Sequence, residues 1–211
     1  MRATYWLIIA CIAASLITWN ITNTEFERWL PYFVFSEQNL LQGRIWTLIT
    51  ALFIHSDIIH LGSNMVFLFV FGNTLEDIFR DQRPLIAFLF GGITSFLVST
   101  AYYPANTIMI GASGAIFTLS AVVVLTNPLQ FSFFFMMPLG LISVIYFLYN
   151  AFAVYIGLPG NIAYIAHVSG FILGIPLGIV WSEHWKKNMI ITIALAILYF
   201  GIQIVLQQWL S

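Results

Sequence analysis

Seven long apolar runs divide this chain, and no water-soluble fold could hide all of them. They cover about residues 5–22, 58–79, 84–102, 113–126, 131–155, 166–182 and 188–208. A helix that crosses the hydrocarbon core of a bilayer needs about 20 mainly apolar residues. Of the 211 residues, 61% are hydrophobic and 7% are charged, where a soluble domain carries about 25% charge. Lipid must therefore be the solvent, and the expected fold class is an all-α polytopic membrane protein. The net charge of -1 offers no basic face to phosphates, which argues against a nucleic-acid partner. The single cysteine, Cys11, permits no internal disulfide and no cysteine metal cluster. It reads as a small buried hydrophobe.

Loop charges give the orientation. With the N-terminus in the cytosol, the inner side holds Arg2, Arg80, Arg83, Lys186 and Lys187, and the outer side holds Arg28 and Arg44. This five-to-two bias follows the positive-inside rule and suits a multi-pass protein of the plasma membrane. Arg2 ahead of an apolar run also fits a signal peptide. The length of that run and the lack of a small-residue cleavage site favour a retained helix. The outer loop, 23–57, alternates Trp29, Tyr32, Phe33, Phe35 and Trp46 with Glu25, Glu27, Arg28 and Glu37. That pattern suits the lipid interface or a small outer cap. Asn20-Ile21-Thr22 is a glycosylation sequon, meaningful only in a eukaryotic secretory route.

Two runs are unusual. The fourth, about 14 residues, would span ~21 Å, short of a ~30 Å hydrocarbon core. Its helix must start below the outer surface, so the loop before it must dip inward. Non-helical backbone at that depth needs protein or water around it. The fifth run carries Pro138 and Gly140, which predicts a kink or break. No repeat or flexible linker is evident. Residues 1–211 read as one membrane domain, with a core to about 182 and an extra C-terminal helix over about 188–208.

Under this topology the second, fourth and sixth helices all begin at the outer face, and polar residues gather there. The second opens with His55, His60 and Asn64, the fourth with Gly111-Ala112-Ser113-Gly114, and the sixth with His167. Polar groups at membrane depth are costly and are functional candidates by default. The remaining histidine, His184, sits at an inner helix end and reads as surface. His60 and Asn64, four apart, share a helix face. Ser113 and His167 supply a hydroxyl and an imidazole on separate helix mouths. An activated serine needs a base within hydrogen-bond reach and donors aimed at the developing oxyanion. A helix N-terminus supplies free N–H groups. Gly111 and Gly114 would clear a path for a substrate carbonyl. Asp57, Glu76, Asp77, Asp81 and Glu183 all fall in loops or near helix ends. A Ser–His dyad without an orienting carboxylate is therefore expected. HEXXH is absent and no acidic ligand accompanies the histidines, so no metal is expected. A small-residue cluster in a membrane helix is ordinarily a packing surface. The Gly170, Gly174, Gly178 stripe reads that way, bringing the sixth helix close to a neighbour.

Together these residues resemble the rhomboid intramembrane serine proteases, over about 43–181. His-x4-His-x3-Asn is met by His55, His60 and Asn64. Gly-x-Ser-Gly is met by Gly111, Ser113 and Gly114. Ala-His-x2-Gly-x3-Gly is met by Ala166, His167, Gly170 and Gly174. The resemblance implies a six-helix core with a seventh helix added. It also implies Ser113 as nucleophile and His167 as general base and acid. His60, Asn64 and the Ser113 amide would form the oxyanion hole, with His55 supporting the first loop. Gly72 and Glu76 match a structural Gly-x3-Glu. The implied substrates are membrane-anchored proteins within the lipid bilayer, with no cofactor, metal or nucleotide. Two features depart from the family. Trp46 is followed by Thr47, with Arg44 upstream, where Trp-Arg is common. Phe117 stands where tyrosine is common, keeping a ring for His167 but losing the hydroxyl. Two other readings fit a polytopic protein with these residues. One is a transporter or channel using the histidines as a proton relay; the other is a non-catalytic chaperone on the same scaffold.

Overall fold

The computed structural model describes residues 2–20, 28–159 and 162–210. Glu25, Glu27 and the Ile21-Thr22 part of the sequon lie outside the described residues. The long helices are α1 (Ala3–Asn20), α4 (Ile58–Phe79), α5 (Arg83–Ser99), α6 (Ser113–Thr126), α7 (Leu139–Tyr155), α8 (Tyr164–Trp181) and α9 (Trp185–Leu210). The first loop adds two short helices, α2 (Glu37–Leu41) and α3 (Thr47–Thr50), and two 3₁₀ turns, Leu30–Tyr32 and Ala51–Phe53. Four helices, α1, α4, α8 and α9, are long and apolar enough to cross a membrane. The protein is an all-α polytopic membrane protein.

The short α6 is the centre of the bundle. Every residue from Gly114 to Leu125 is buried, as expected for a helix that is apolar on all sides. It packs against α8, α5, α4, α7 and α9. The glycine stripe of α8 makes the closest approach. A methyl group on Gly174 would sit 2.5 Å from the Thr118 carbonyl oxygen, and one on Gly178 would sit 2.7 Å from Leu125. One on Gly170 would collide with the Gly114 carbonyl. The Thr118 hydroxyl donates to the Gly170 carbonyl at 2.7 Å. At the far end of α6, the Asn188 amide from α9 donates to the carbonyls of Leu125 (2.8 Å) and Thr126 (3.0 Å). It thereby satisfies acceptors that a helix C-terminus leaves free.

The first turn of α1 is pinned to the last turn of α4. The Arg2 guanidinium meets Asp77 at 2.7 Å and Asn73 at 3.1 Å. The Thr4 amide, one of the orphan donors of a helix start, donates to Glu76 Oε1 at 2.9 Å. Gly72 leaves room for the Thr4 side chain, which a methyl there would meet at 2.6 Å. In the first loop, Arg44 donates to Asn39 Oδ1 (2.8 Å) and to the Pro31 carbonyl (3.3 Å), and covers the Tyr32 ring at 4.5 Å. Arg44 thus organises the loop with Trp46, whose indole N–H donates to the Tyr32 carbonyl. Trp29, Tyr32, Phe33 and Trp46 remain exposed, as suits an interfacial segment.

The structure moves the start of the fifth span and resolves the expected kink or break into a break at Pro138. Residues Phe131–Ser132 (β1) pair antiparallel with Met137–Pro138 (β2) in a small hairpin. Helix α7 starts only at Leu139. Pro138, extended at its N-cap, and Gly140, in the first turn, mark a helix start and introduce no mid-helix kink. The amide-free nitrogen of proline costs nothing at a cap.

Overpacking predicts an outcome at the α6–α8 contact. Gly170→Ala should lower the thermal unfolding midpoint in detergent, corresponding to about 1–3 kcal/mol, because the opposing atom is backbone and cannot move aside. Gly201→Ala on α9, where a methyl meets nothing within 4 Å, should leave the midpoint unchanged or raise it slightly.

Candidate active site

Ser113 is the first residue of α6, and no side chain caps the helix above it. The preceding backbone is non-helical and well bonded. Met109 pairs with Phe35, the Gly111 amide donates to the Ala51 carbonyl at 2.8 Å, and the Ala112 amide donates to His55 Nε2 at 3.4 Å. Met109, Gly111 and Ala112 are buried, which is the condition for irregular backbone below the membrane surface. Gly111 holds φ +105, a conformation that side chains disfavour.

His167 lies in the first turn of α8 and is buried. Its Nε2 is 2.7 Å from the Ser113 hydroxyl. Its ring stacks on Phe117, one turn along α6 from Ser113, with centroids 4.8 Å apart and planes at 13°. Phe117 in turn stacks on Tyr146 of α7, and Tyr146 on Phe67 of α4, each at 5.0 Å. A column of four rings therefore runs from the imidazole across the bundle. On the other side of the His167 ring, Nδ1 is 2.7 Å from Asn150 Oδ1 on α7.

Asp57 caps α4, accepting from the amides of Ile59 (2.9 Å) and His60 (2.8 Å). The His60 amide, followed by the Ser56 hydroxyl, holds the Asp57 carboxyl below the usual carboxylate range. His60 Nδ1 accepts the Ser56 amide at 3.4 Å. In a neutral imidazole that leaves the proton on Nε2. The ring closes over Gly111, where a methyl would sit 2.8 Å from His60 Nε2 and Cε1. Asn64, also buried, donates one N–H to the His60 carbonyl at 2.8 Å. An amide has a second N–H to give. His60, Asn64, Ser113, Asn150 and His167 all line one open cavity of about 770 Å³.

His55 lies in the loop before α4 and is 1% exposed. Its Nε2 accepts from Ala112, so Nδ1 carries the proton and donates to Ser15 Oγ at 3.2 Å. The Trp19 indole donates to its carbonyl. His55 thereby ties α1, the first loop and the start of α6 together. Burial, then the neighbouring His60, lowers its pKa from 6.5 to about 4. His184 is exposed between α8 and α9. Among the described residues, no three His, Cys, Asp or Glu side chains converge as a metal site.

The Rhomboid domain matches residues 42–184. The chain belongs to the rhomboid family. Rhomboid protease GluP of Bacillus subtilis (strain 168) is 31% identical over 197 residues, covering 86% of this chain and 36% of that protein. RHOMBOID-like protein 12, mitochondrial, of Arabidopsis thaliana is 29% identical over 157 residues, covering 65% of this chain and 46% of the relative. Rhomboid protease GlpG of Yersinia pseudotuberculosis (serotype I, strain IP32953) is 26% identical over 171 residues, covering 80% and 59%. In each case this rhomboid chain spans less than two thirds of the relative's own length.

The glycines beside Ser113 also serve the packing. A methyl on Gly111 would strike His60, and one on Gly114 would collide with the Ser95 hydroxyl and lie 3.3 Å from the Ala166 carbonyl. They let His60, α5 and α8 close around the serine. Asn150 does not stand out in the sequence as an orienting group because it carries no charge. Its signal was available: it is the only amide within the apolar run 131–155, and a lone intramembrane amide is costly.

The His55 environment predicts a pH dependence. Its folded pKa, about 4, lies below the ordinary 6.5, so the folded state favours the neutral ring. The associated stability is complete above about 6.5 and is lost as pH falls through about 4. Thermal unfolding in detergent between about pH 7 and pH 4 should show a falling midpoint, and His55→Asn should show a shallower fall from a lower starting value.

Proposed function

We propose that this rhomboid-family protein is an intramembrane serine endopeptidase that cuts membrane-anchored proteins in or near their transmembrane segments. The observation that carries the reading is the 2.7 Å contact between Ser113 Oγ and His167 Nε2 beside an open cavity. Ser113 is the nucleophile. His167 takes its proton as the hydroxyl attacks the substrate carbonyl, and returns it to the leaving amine. The uncapped amides at the start of α6 and the N–H groups of His60 and Asn64 receive the developing oxyanion. Water then resolves the acyl-enzyme, with His167 again as base. Gly111, Gly114, Phe117 and His55 support this set by the contacts described above.

The relatives named as rhomboid proteases support the reaction class. A helical substrate hides its carbonyls, so the scissile stretch must be extended. Substrates with glycine or other weak helix formers near the outer face are the better ones. Residues 1–211 act as one membrane domain, a rhomboid core to about 182 followed by a seventh helix. The five-to-two charge bias supports an N-terminus on the cytosolic side, and the proposed location is the plasma membrane.

Labelling and turnover test the reading. The native protein should react with a fluorophosphonate and cleave a membrane-anchored reporter. Ser113→Ala should lose labelling entirely, and Ser113→Ala and His167→Ala should each lower turnover by at least about a thousandfold. Both variants should keep the native unfolding midpoint within a few degrees. Equal labelling of the Ser113→Ala protein would reject the nucleophile. Replacing glycine by leucine in the reporter's cleavage region should slow cleavage by the native protein.

A further inference from the structure

We infer that Asn150, carried by α7, is a positioning residue that fixes the tautomer and orientation of His167. The inference rests on the protease reading. Asn150 is 2% exposed and lies 17 positions before His167, on a different helix. Its amide has only one workable orientation. The Nδ2 end donates to the Tyr146 carbonyl at 2.8 Å, in the preceding turn of α7. A carbonyl can only accept, so this contact identifies the NH₂ end of the amide. The other end, Oδ1, therefore faces His167 Nδ1 at 2.7 Å. An amide oxygen can only accept, so Nδ1 must carry the proton. In the neutral ring, Nε2 is then left with its lone pair, 2.7 Å from the Ser113 hydroxyl. That is the tautomer a general base requires.

The chain of donors is therefore complete and one-directional. Ser113 O–H donates to His167 Nε2, His167 Nδ1–H donates to Asn150 Oδ1, and Asn150 Nδ2–H donates to the Tyr146 carbonyl. An asparagine can serve this purpose without a carboxylate, as in Cys-His-Asn proteases. It also suits the location, because a neutral amide avoids the cost of burying a charge. When His167 takes the proton from Ser113, the Asn150 oxygen remains a fixed acceptor for the imidazolium. The same Tyr146 whose carbonyl anchors Asn150 stacks its ring on Phe117, and Phe117 stacks on His167. The imidazole is thus held in its plane by a ring and within that plane by an amide.

The test uses the full chain in detergent. Asn150→Leu keeps the volume but removes the acceptor. It should lower kcat on the reporter by about 10-fold to 1,000-fold with KM changed by less than about threefold, as expected for loss of an orienting group. Asn150→Gln keeps both an acceptor oxygen and a donor NH₂ without a charge and should recover part of that loss, at least about threefold. Imidazole ¹⁵N NMR gives a readout that does not depend on turnover. His167 should be the Nδ1–H tautomer in the native protein and a mixture of tautomers in Asn150→Leu. An unchanged tautomer, or a kcat within about threefold of native, in a folded Asn150→Leu protein would overturn the inference. Failure of the protease reading looks different: turnover would persist in Ser113→Ala while the tautomer change in Asn150→Leu remained.

Discussion

The structure depends on how closely α8 approaches α6. Membrane helices gain little from burying apolar surface against each other, because lipid is equally apolar; small residues that let backbones touch supply the packing instead. Here Gly170, Gly174 and Gly178 lie against Gly114, Thr118 and Leu125 of α6. Ser113 and His167 sit at the outer ends of these same two helices. Their 2.7 Å contact is inherited from the backbone spacing below them. The glycines therefore position the candidate site although none of them performs chemistry. Asn188 holds the other end of α6 through its last carbonyls, so the serine helix is fixed at both termini.

A second constraint is the cost of unpaired polar groups away from water. The outer layer contains three histidines and two buried amides, and each has a stated partner. His55 bonds Ser15 and Ala112; His60 bonds Ser56; Asn64 bonds the His60 carbonyl; His167 bonds Ser113 and Asn150. These bonds are worth only about 1 kcal/mol each in net stability, but they determine which nitrogen of each ring carries the proton. His55 and His167 keep the proton on Nδ1, and His60 keeps it on Nε2. The tautomer pattern follows from fixed backbone donors and one amide. It leaves an acceptor nitrogen facing Ser113 on His167 and a donor nitrogen on His60, the pair that the proposed reaction requires.

The sequence disclosed the long helices well because apolar runs near 20 residues have few other uses. The bounds of α4 and α6 are those expected, and the short length of α6 correctly implied an irregular, buried approach. The hairpin at Phe131–Pro138 was not legible. Phenylalanine-rich sequence looks the same in a span and in an interfacial turn, and proline marks a cap as readily as a kink. Pro176 lies inside α8 without ending it. The serine, the histidines and Asn64 stood out because polar residues are rare in these runs. The part played by Gly111 and Gly114 did not, since sequence shows that a side chain is missing but not what occupies the space. Asn150 shows the limit from the other direction: its helix was visible, but the rotation of that helix against α8 was not.

That rotation matters because α7 meets α4 through rings: Phe67 of α4 stacks on Tyr146 of α7, and Phe135 of the hairpin before α7 lies against the same Phe67. Stacked rings tolerate offset geometries, whereas the glycine-lined backbone contacts hold α6 and α8 at one spacing. On the proposed reading, the α4–α7 seam is the side of the cavity through which a membrane-anchored substrate would enter. Tyr146 and Asn150 belong to successive turns of α7 and are joined by a hydrogen bond. A movement of α7 that parts Phe67 from Tyr146 therefore draws Asn150 from His167. On that reading, entry through this seam and orientation of His167 would oppose each other. His167 would then regain its acceptor only once α7 had packed back onto α8.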